Sequence, residues 1–254
     1  MTNDNPDTSL DAIRREIDSI DDQILALLIE RFAATTRVKA SKAQDGTIAA
    51  SPFRPAREAT MMRRLIAAAG TSLSPELLVR LWRVILSASK QSQAPVTLHM
   101  DFALGSDLGA RLLVSQHFIG MKVELHHSPG QALEAVGKVN GDLALIAPSS
   151  EWAAGFLSGA VRTAQVIATL PAIIGDNQPQ ILVFGHSTPH PSGDDETLLL
   201  VPGELASVPG ALWQTRSGSV CLAGLPGFLD DGVLSLHHGA RRAGRYPRPI
   251  KVSP

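Results

Sequence analysis

The chain has 254 residues, of which 44% are hydrophobic and 19% charged, the composition of an ordinary soluble globular protein with room for two domains. Its net charge of −1 at pH 7 gives no argument for binding to nucleic acid or to a membrane surface, and no apolar run is long enough to span a bilayer. The single cysteine, Cys221, excludes an intrachain disulfide, and together with a polar N-terminus that lacks a signal-peptide pattern it predicts a cytoplasmic protein.

The first predicted element is one long helix from Ser9 to Lys42. No proline or glycine interrupts it, and its apolar residues recur at alternating spacings of three and four, at Leu10, Ile13, Ile17, Ile20, Ile24 and Leu27. At roughly 1.5 Å per residue this helix would be about 50 Å long. A helix of that length is expected to pair with another copy of itself or with later helices.

Two cations continue the apolar seam of this helix. Arg31 and Lys42 fall on the middle of the stripe, where an unpaired buried charge is costly, so we expect a small anion between them. Arg14 lies about 100° away from the seam and is expected to reach the equivalent site of a partner chain. The alternative is that Arg31 and Lys42 extend out of a coiled-coil seam into water.

A second helix is predicted over about residues 55–69. Its apolar stripe consists of Met61, Met62, Leu65 and Ala69. Glu58 lies at the centre of that stripe beside Arg57, and a carboxylate is expected there only if it is paired or binds a ligand. One alternative is that Glu58 forms an ion pair with Arg31 or Lys42 in the core.

A third helix is predicted to begin at Ser74, with an apolar stripe of Leu78, Leu81, Trp82 and Ile85. Ser89 and Gln93 continue this stripe; taken alone, they would be solvated residues near a helix end. Taken with the cations, they indicate a pocket for a small dianion. The pattern contains no nucleophile–base pair, no metal-ligand cluster and no glycine-rich phosphate loop, so the reaction should need no proton transfer and no cofactor.

The pattern of apolar residues in the sequence changes after Pro95. Short Val, Ile and Leu runs alternate with helical stretches, which predicts strands at 96–100, 121–126, 142–147, 165–170, 180–185, 196–201 and 219–225 and helices at 106–118 and 129–139. The expected fold is α+β, with an all-α three-helix bundle in residues 1–95 and a small α/β domain in residues 96–254. The basic, proline-rich end, Arg241 to Pro254, is predicted to be a tail.

The first part of the chain resembles the all-helical class of chorismate mutase. The resemblance covers nearly all of residues 10–94 and is carried by 13–17, 20–21 and 27–31 on the first helix, by 53–58 at the start of the second, and by Ser89 and Gln93. It implies a rearrangement of chorismate to prephenate in an intertwined homodimer with two sites and no cofactor, as part of phenylalanine and tyrosine biosynthesis.

By this resemblance, four residues would hold the carboxylates of the substrate. Arg31, Arg57 and Ser89 would act in the site of their own chain, and Arg14 would act in the site of the partner.

Three further residues would carry the catalytic role that the resemblance implies. Lys42 and Gln93 would donate to the ether oxygen, which gains negative charge as its bond to carbon breaks. Glu58 would accept a hydrogen bond from the ring hydroxyl. Arg54 stands where some family members carry a carboxylate near that hydroxyl, so Glu58 is expected to act there alone.

Residues 96–254 resemble a prephenate dehydratase domain more weakly. The similarity lies in 131–136 with 141–145, and in 180–185 followed by 192–197. The stretch between them is too short for a second lobe, and 179–181 reads Pro-Gln-Ile where that family has Thr-Arg-Phe. Because a cleft between two lobes cannot form from one lobe, we expect a degenerate, non-catalytic domain that serves stability, dimer contacts or partner binding.

Two other functions stay open. One is an isochorismate pyruvate-lyase on the same helical fold, although Glu58 favours the mutase because it can hold a ring hydroxyl. The other is a non-catalytic regulatory or binding protein, against which the complete set of seven polar positions argues. Five histidines show no ligand spacing that would indicate a metal site: His117, His126, His127, His237 and His238.

Overall fold

The structure is a computed structural model. It describes residues 10–44, 52–137, 141–159, 164–174, 179–203, 207–230, 232 and 239–251, with side chains for all of these except 38–44 and 174. The chain forms two compact units, Met1–Ala49 and Ala50–Pro254. The second unit thus contains both the later helices of the predicted bundle and the whole of the second half. The functional boundary that the sequence predicts near residue 95 stays a prediction.

The described part of the first unit is the helix α1 (Leu10–Gln44). The prediction of a single uninterrupted helix is confirmed, and its first turn carries Asp11, which interacts favourably with the helix dipole. The apolar stripe of α1 is open to water, because its six side chains are between 44% and 65% exposed. Such an exposed seam on a long helix is typical of a surface that another apolar surface covers.

Two helices open the second unit, α2 (Pro55–Ala69) and α3 (Pro75–Gln91). Their ends agree with the sequence prediction. Gly70, with φ of 55°, ends α2 in a conformation that glycine adopts most easily. The side chain of Ser74 caps α3 by accepting a hydrogen bond from the backbone of Leu77. Helix α3 stops before Gln93, which lies in the turn that follows it.

The buried face of α3 differs from the predicted one. Leu78 is buried as expected, but Leu81 is 47% exposed. The residues that α3 buries are Leu78, Val79, Leu86, Ser87, Ser89 and Lys90. Within the single chain Leu81 stays exposed, because α3 packs by another face against a helix of the second half, α5 (Leu108–His117), where Ser87 donates to the carbonyl of His117.

The second half is built on a mixed sheet. Among the described residues its strands are β1 Thr97–Asp101, β2 Lys122–His126, β3 Leu143–Ile146, β4 Gln165–Leu170, β6 Ile181–Gly185, β7 Asp195–Pro202, β8 Trp213–Ser217, β9 Val220–Pro226 and β10 Arg241–Pro247. They lie side by side in the order β2-β1-β3-β6-β4-β10-β7-β9-β8. A separate pair joins β5 (Ile173–Ile174) to β11 (Ile250–Lys251).

Parallel pairing joins β1 to β2 and to β3, and antiparallel pairing joins β6 to β3 and β4. The remaining helices are α4 (Phe102–Ser106), α6 (Pro129–Val136) and α7 (Ala153–Leu157). The predicted strands and helices of this half are present with ends shifted by a few residues. Four strands, β5, β8, β10 and β11, and the short helices α4 and α7 were not predicted.

The prediction of a C-terminal tail was wrong over most of its length. Strand β10 lies inside the sheet, parallel to β4 on one side and antiparallel to β7 on the other. Ala243 and Tyr246 are buried, and Gly244 lies against the backbone of Val166. The segment was misread because its arginines suggested a solvated tail, whereas small and aromatic residues between them pack into the sheet.

The overall fold is α+β, with long helices first and a mixed sheet after them, as the sequence predicts. The main core lies on the sheet and is formed by residues such as Leu133, Ile146, Phe184 and Leu198. None of the helices within the described ranges is both long and apolar enough to cross a membrane.

Candidate active site

A buried group of three charged residues joins α2 to α3. Glu58 Oε1 lies 2.8 Å from Lys90 Nζ, and Glu58 Oε2 lies 3.2 Å from Arg83 Nη1. Lys90 is only 6% exposed. We call Glu58, Arg83 and Lys90 the ion triad. Its charges sum to one positive charge, counting Glu58 as ionised.

The helices place these three side chains by simple periodicity. Glu58 lies in the first turn of α2, and Arg83 and Lys90 are two turns apart on the same face of α3. Because α2 packs against α3, one carboxylate can reach both cations. The sequence predicted that Glu58 is either paired or binds a ligand, and within the second unit it is paired. The alternative pairing with Arg31 or Lys42 stays a prediction, because both residues belong to the first unit. Within the second unit, Arg83 and Lys90 contact the two carboxylate oxygens of Glu58.

The triad keeps Glu58 ionised. Burial by itself would raise the pKa of Glu58, but the charges of Lys90 and Arg83 outweigh it. Hydrogen bonds from Lys90 and from the backbone of Arg54 add to the effect, so the pKa of Glu58 lies below its ordinary value. Glu58 is therefore a hydrogen-bond acceptor at neutral pH.

Two rings flank the triad. Lys90 Nζ lies 4.5 Å from the centre of the Phe53 ring, a cation–π contact that partly replaces the water this ammonium group has lost. Burial lowers the pKa of His117 well below 6.5, and the positive charges of Arg83 and Lys90 lower it further. His117 is therefore neutral at pH 7 and adds no charge to the group.

The cavity beside the triad is small. Glu58, Arg83, Lys90 and His117 line a space of about 60 Å³. Sites for small molecules measure roughly 300–1,000 Å³, so this cavity has room for a few waters. Within the second unit, then, Glu58 faces its ion partners and no cavity large enough for an organic substrate.

The other predicted site residues of the second unit lie on the same two helices or just after them. Arg57 is exposed beside Glu58. Ser89 is buried and donates to the carbonyl of Ile85 at 2.7 Å. The amide of Gln93 donates to the carbonyl of Ser89 at 3.1 Å. Arg57 and Glu58 are thus brought together on α2, and Ser89 and Gln93 at the end of α3.

The remaining predicted residues lie on α1 in the first unit. Arg14 is exposed and pairs with Asp11 at 3.3 Å. Partial burial lowers the pKa of Arg31, which remains a cation at neutral pH. The side chain of Lys42 lies outside the described residues. The convergence of the α1 residues with those of α2 and α3 stays a prediction.

A second polar cluster lies inside the sheet. His99 Nδ1 is 2.9 Å from His126 Nε2, and His99 Nε2 is 3.3 Å from Asp142 Oδ2. The other carboxylate oxygen of Asp142 accepts from the backbone of Thr97. These bonds tie β1 to β2 and to the start of β3. Across the described ranges, no group of three or more His, Cys, Asp or Glu residues is arranged to hold a metal ion.

Sequence reasoning missed Arg83 and Lys90. Both were passed over because they lie off the predicted stripe of α3. Their spacing of seven residues, which places them on one helical face with Val79 and Leu86, was the available signal. It becomes informative only when a carboxylate such as Glu58 is known to face them.

Comparison with known protein families identifies the helical segment. Residues 13–94 match the sequence model of the family described as chorismate mutase type II. This stretch contains α2, α3 and nearly all of α1, together with all seven predicted site residues. The segment is therefore a domain of the chorismate mutase type II family, which is a family of isomerases.

Comparison with solved structures gave two matches with low scores. One is prephenate dehydratase from Streptococcus mutans, with 12% identity and a TM-score of 0.36 over 63% of this chain and 100% of that one. The other is GqqA, described as a novel type of quorum-quenching acylase, with 17% identity and a TM-score of 0.38 over 59% of this chain and 94% of that one. These scores support no conclusion about the second half. A search of curated proteins found no match.

Proposed function

We propose that the protein is a chorismate mutase, which rearranges chorismate to prephenate for the synthesis of phenylalanine and tyrosine in the cytoplasm. The observation that carries the proposal is the match of residues 13–94 to the chorismate mutase type II family. All seven polar residues that the reaction calls for lie inside that match, and the reaction needs no cofactor.

The proposed mechanism rests on binding and on charge placement. Arg31, Arg57 and Ser89 hold the two carboxylates, together with Arg14 of a second copy, and so select the compact conformer in which the reacting carbons meet. The bond that breaks joins carbon to the ether oxygen, and a carbon–carbon bond forms in the same step. No proton is transferred.

Three residues stabilise the transition state in this proposal. Lys42 and Gln93 donate to the ether oxygen as negative charge develops on it. Glu58 accepts a hydrogen bond from the ring hydroxyl. The low pKa of Glu58 supports this role, because an ionised carboxylate accepts a stronger hydrogen bond than a protonated one, and the ion triad keeps Glu58 ionised.

The exposed apolar seam of α1 supports assembly into a homodimer. The six large apolar side chains of this seam are exposed. Covering them would stabilise the assembly by about 25 cal/mol for each Å² of apolar surface removed from water. On α3, Leu77, Leu81 and Val84 are also between 45% and 51% exposed. A second copy of the chain can cover these surfaces, and it also supplies Arg14 to each site.

For residues 96–254 we propose a non-catalytic role. Helix α2 packs against β10 and α3 packs against α5, so the second half supports two of the three mutase helices. The sequence at 179–181 lacks the Thr-Arg-Phe motif of prephenate dehydratases. A contribution to stability therefore explains this half better than a second reaction.

The proposal is tested by supplying the full-length protein with chorismate, isochorismate and prephenate in turn, and identifying the products by chromatography. We expect chorismate to disappear with formation of prephenate, and prephenate to persist. Release of pyruvate from isochorismate without turnover of chorismate would instead establish the lyase. Phenylpyruvate formed from prephenate at an enzymatic rate would show that the second half is catalytic.

A further inference from the structure

A large cleft lies in the second unit next to the small cavity beside the ion triad, and Phe53 and Pro55 line both. Its walls are the start of α2 and the segment 186–191, called here the rim segment, with Arg245 and Pro247 of β10 also lining it. The cleft measures about 840 Å³. This volume lies within the range of roughly 300–1,000 Å³ that is typical of small-molecule sites.

The lining of the cleft is strongly basic. No carboxylate of the described residues lines it, whereas six basic side chains do: Arg54, Arg57, Arg64, Arg245, His186 and His190. Arg57 and Arg64 lie two turns apart on one face of α2. Neither these two nor Arg54 forms an ion pair with another residue in the part of the chain that the structure describes.

The fourth arginine of the cleft is fixed by its own contacts. Arg245 lies 3.5 Å from Asp230 and 4.0 Å from the centre of the Phe228 ring. Asp230 is almost fully exposed, so water screens this ion pair and leaves much of the positive charge of Arg245 effective. The guanidinium groups of α2 therefore face a wall of the same sign, which raises the positive potential in the cleft.

Hydrogen bonds tie the rim segment and the residue after it, Ser192, to α2 and to Phe53 just before α2. At one end, Ser187 donates to the carbonyl of Phe53 at 2.7 Å. At the other end, Arg63 donates to the carbonyl and the hydroxyl of Ser192 at 3.2 and 3.0 Å. Thr60 also donates to the carbonyl of Ser192. The cleft is thus formed before any ligand arrives, which reduces the entropy lost on binding.

We propose that this cleft binds a small organic anion that carries two or more carboxylate or phosphate groups. Guanidinium groups bind both kinds of group through paired hydrogen bonds. An anion also relieves the repulsion among the arginines. A volume of about 840 Å³ suits a small molecule better than a peptide or a nucleic acid strand.

The cleft shares Arg57 with the proposed mutase site, and it is also lined by Arg54, which the resemblance places near the ring hydroxyl. Arg64 belongs to the cleft alone, and so it is the residue to change. Its matched control is Arg111, an exposed arginine on α5 that does not line the cleft. No chorismate is used in the test, so its result is independent of whether the mutase proposal holds.

The test is calorimetric titration of the full-length protein with citrate and with pyrophosphate at constant ionic strength, with chloride as the monovalent control. We expect saturable binding of at least one polyanion with a stoichiometry of one per chain. Arg64→Gln should weaken that binding about tenfold, the effect of losing one charged hydrogen-bonding group, and Arg111→Gln should leave it unchanged. Thermal unfolding of each variant establishes that it is folded.

The preferred probe identifies the chemistry of the ligand. Tighter binding of citrate assigns carboxylates, and tighter binding of pyrophosphate assigns phosphates. The proposal is overturned if neither probe binds saturably at millimolar concentration. It is also overturned if Arg64→Gln and Arg111→Gln bind alike, because the anions would then be attracted only by the general charge of the surface.

Discussion

Glu58 keeps its charge in a buried position because two cations contact its two carboxylate oxygens. Removing one partner of such a group leaves an uncompensated charge, which typically costs about 3–5 kcal/mol. The ion triad therefore has two roles. It joins α2 to α3, and it holds Glu58 in the ionised form that the proposed role requires.

His117 gives a prediction about pH. Its pKa in the folded protein lies well below 6.5, the ordinary value expected in the unfolded chain. Between those two values the unfolded chain binds a proton that the folded chain does not, so stability falls as the pH drops below 6.5. Glu58 does not contribute in this window, since its folded pKa lies below 4.5.

We therefore expect His117→Asn to lose less stability than the wild type when the pH falls from 7 to about 5. The measurement is the midpoint of denaturant unfolding across this range. His127→Asn, a change at an exposed histidine, should behave like the wild type. An equal loss of stability in the wild type and His117→Asn would mean that His117 does not titrate in this way.

At the scale of residues, the sequence predicted the need for a partner at Glu58 but not the partner itself. The sequence of a single helix is enough to show that an acidic residue interrupts an apolar stripe. Its partners lie on another helix, and their identity depends on how the two pack. The cleft was missed for the same reason, because it brings Arg64 together with His190, which is far away in the chain.

Among the elements, β10 depends most on a single residue. A β-carbon on Gly244 would lie 2.0 Å from the carbonyl oxygen of Val166 on β4. No neighbouring side chain can move to make room, because the clash is with backbone. Glycine is therefore what allows β10 to pair with β4 in the middle of the sheet.

Gly244→Ala should destabilise the protein by about 3 kcal/mol, because β4 and β10 must separate. Gly155→Ala is the matched control, since no atom lies within 4 Å of the added carbon and the residue is on helix α7. That change should be neutral or slightly stabilising. Denaturant unfolding measures both, and equal stabilities in the two variants would contradict the packing described for β10.

The local sequence pattern was enough to predict the three long helices, but it was not enough to predict strand β10. Caps and periodicity fix α1, α2 and α3 in the sequence, because each helix forms its backbone hydrogen bonds within itself. A strand pairs with distant residues, and a basic segment such as Arg241–Pro247 shows its role only through β4 and β7. Residue propensity and charge therefore gave the wrong prediction for this strand, because its structure depends on pairing with residues far away in the sequence.

At the scale of the whole molecule, the family match and the packing divide the chain differently. The match to chorismate mutase type II ends at residue 94, whereas α2 and α3 belong to the same compact unit as the sheet. The second half therefore supports the helices that carry Arg57, Glu58 and Ser89. The sequence predicted a helical part followed by a part rich in strands. It did not indicate that α2 and α3 pack with the second half.

The most direct test of the account is the activity of a heterodimer of Arg14→Ala and Lys42→Ala chains, purified through two different tags. If each site takes Lys42 from one chain and Arg14 from the other, the heterodimer has one intact site and one that lacks both residues. We predict that each homodimer loses about 100-fold or more in the rate of prephenate formation, and that the heterodimer recovers about half of the wild-type rate. A heterodimer as inactive as its parents, or Lys42→Ala homodimers with wild-type turnover, would contradict the account.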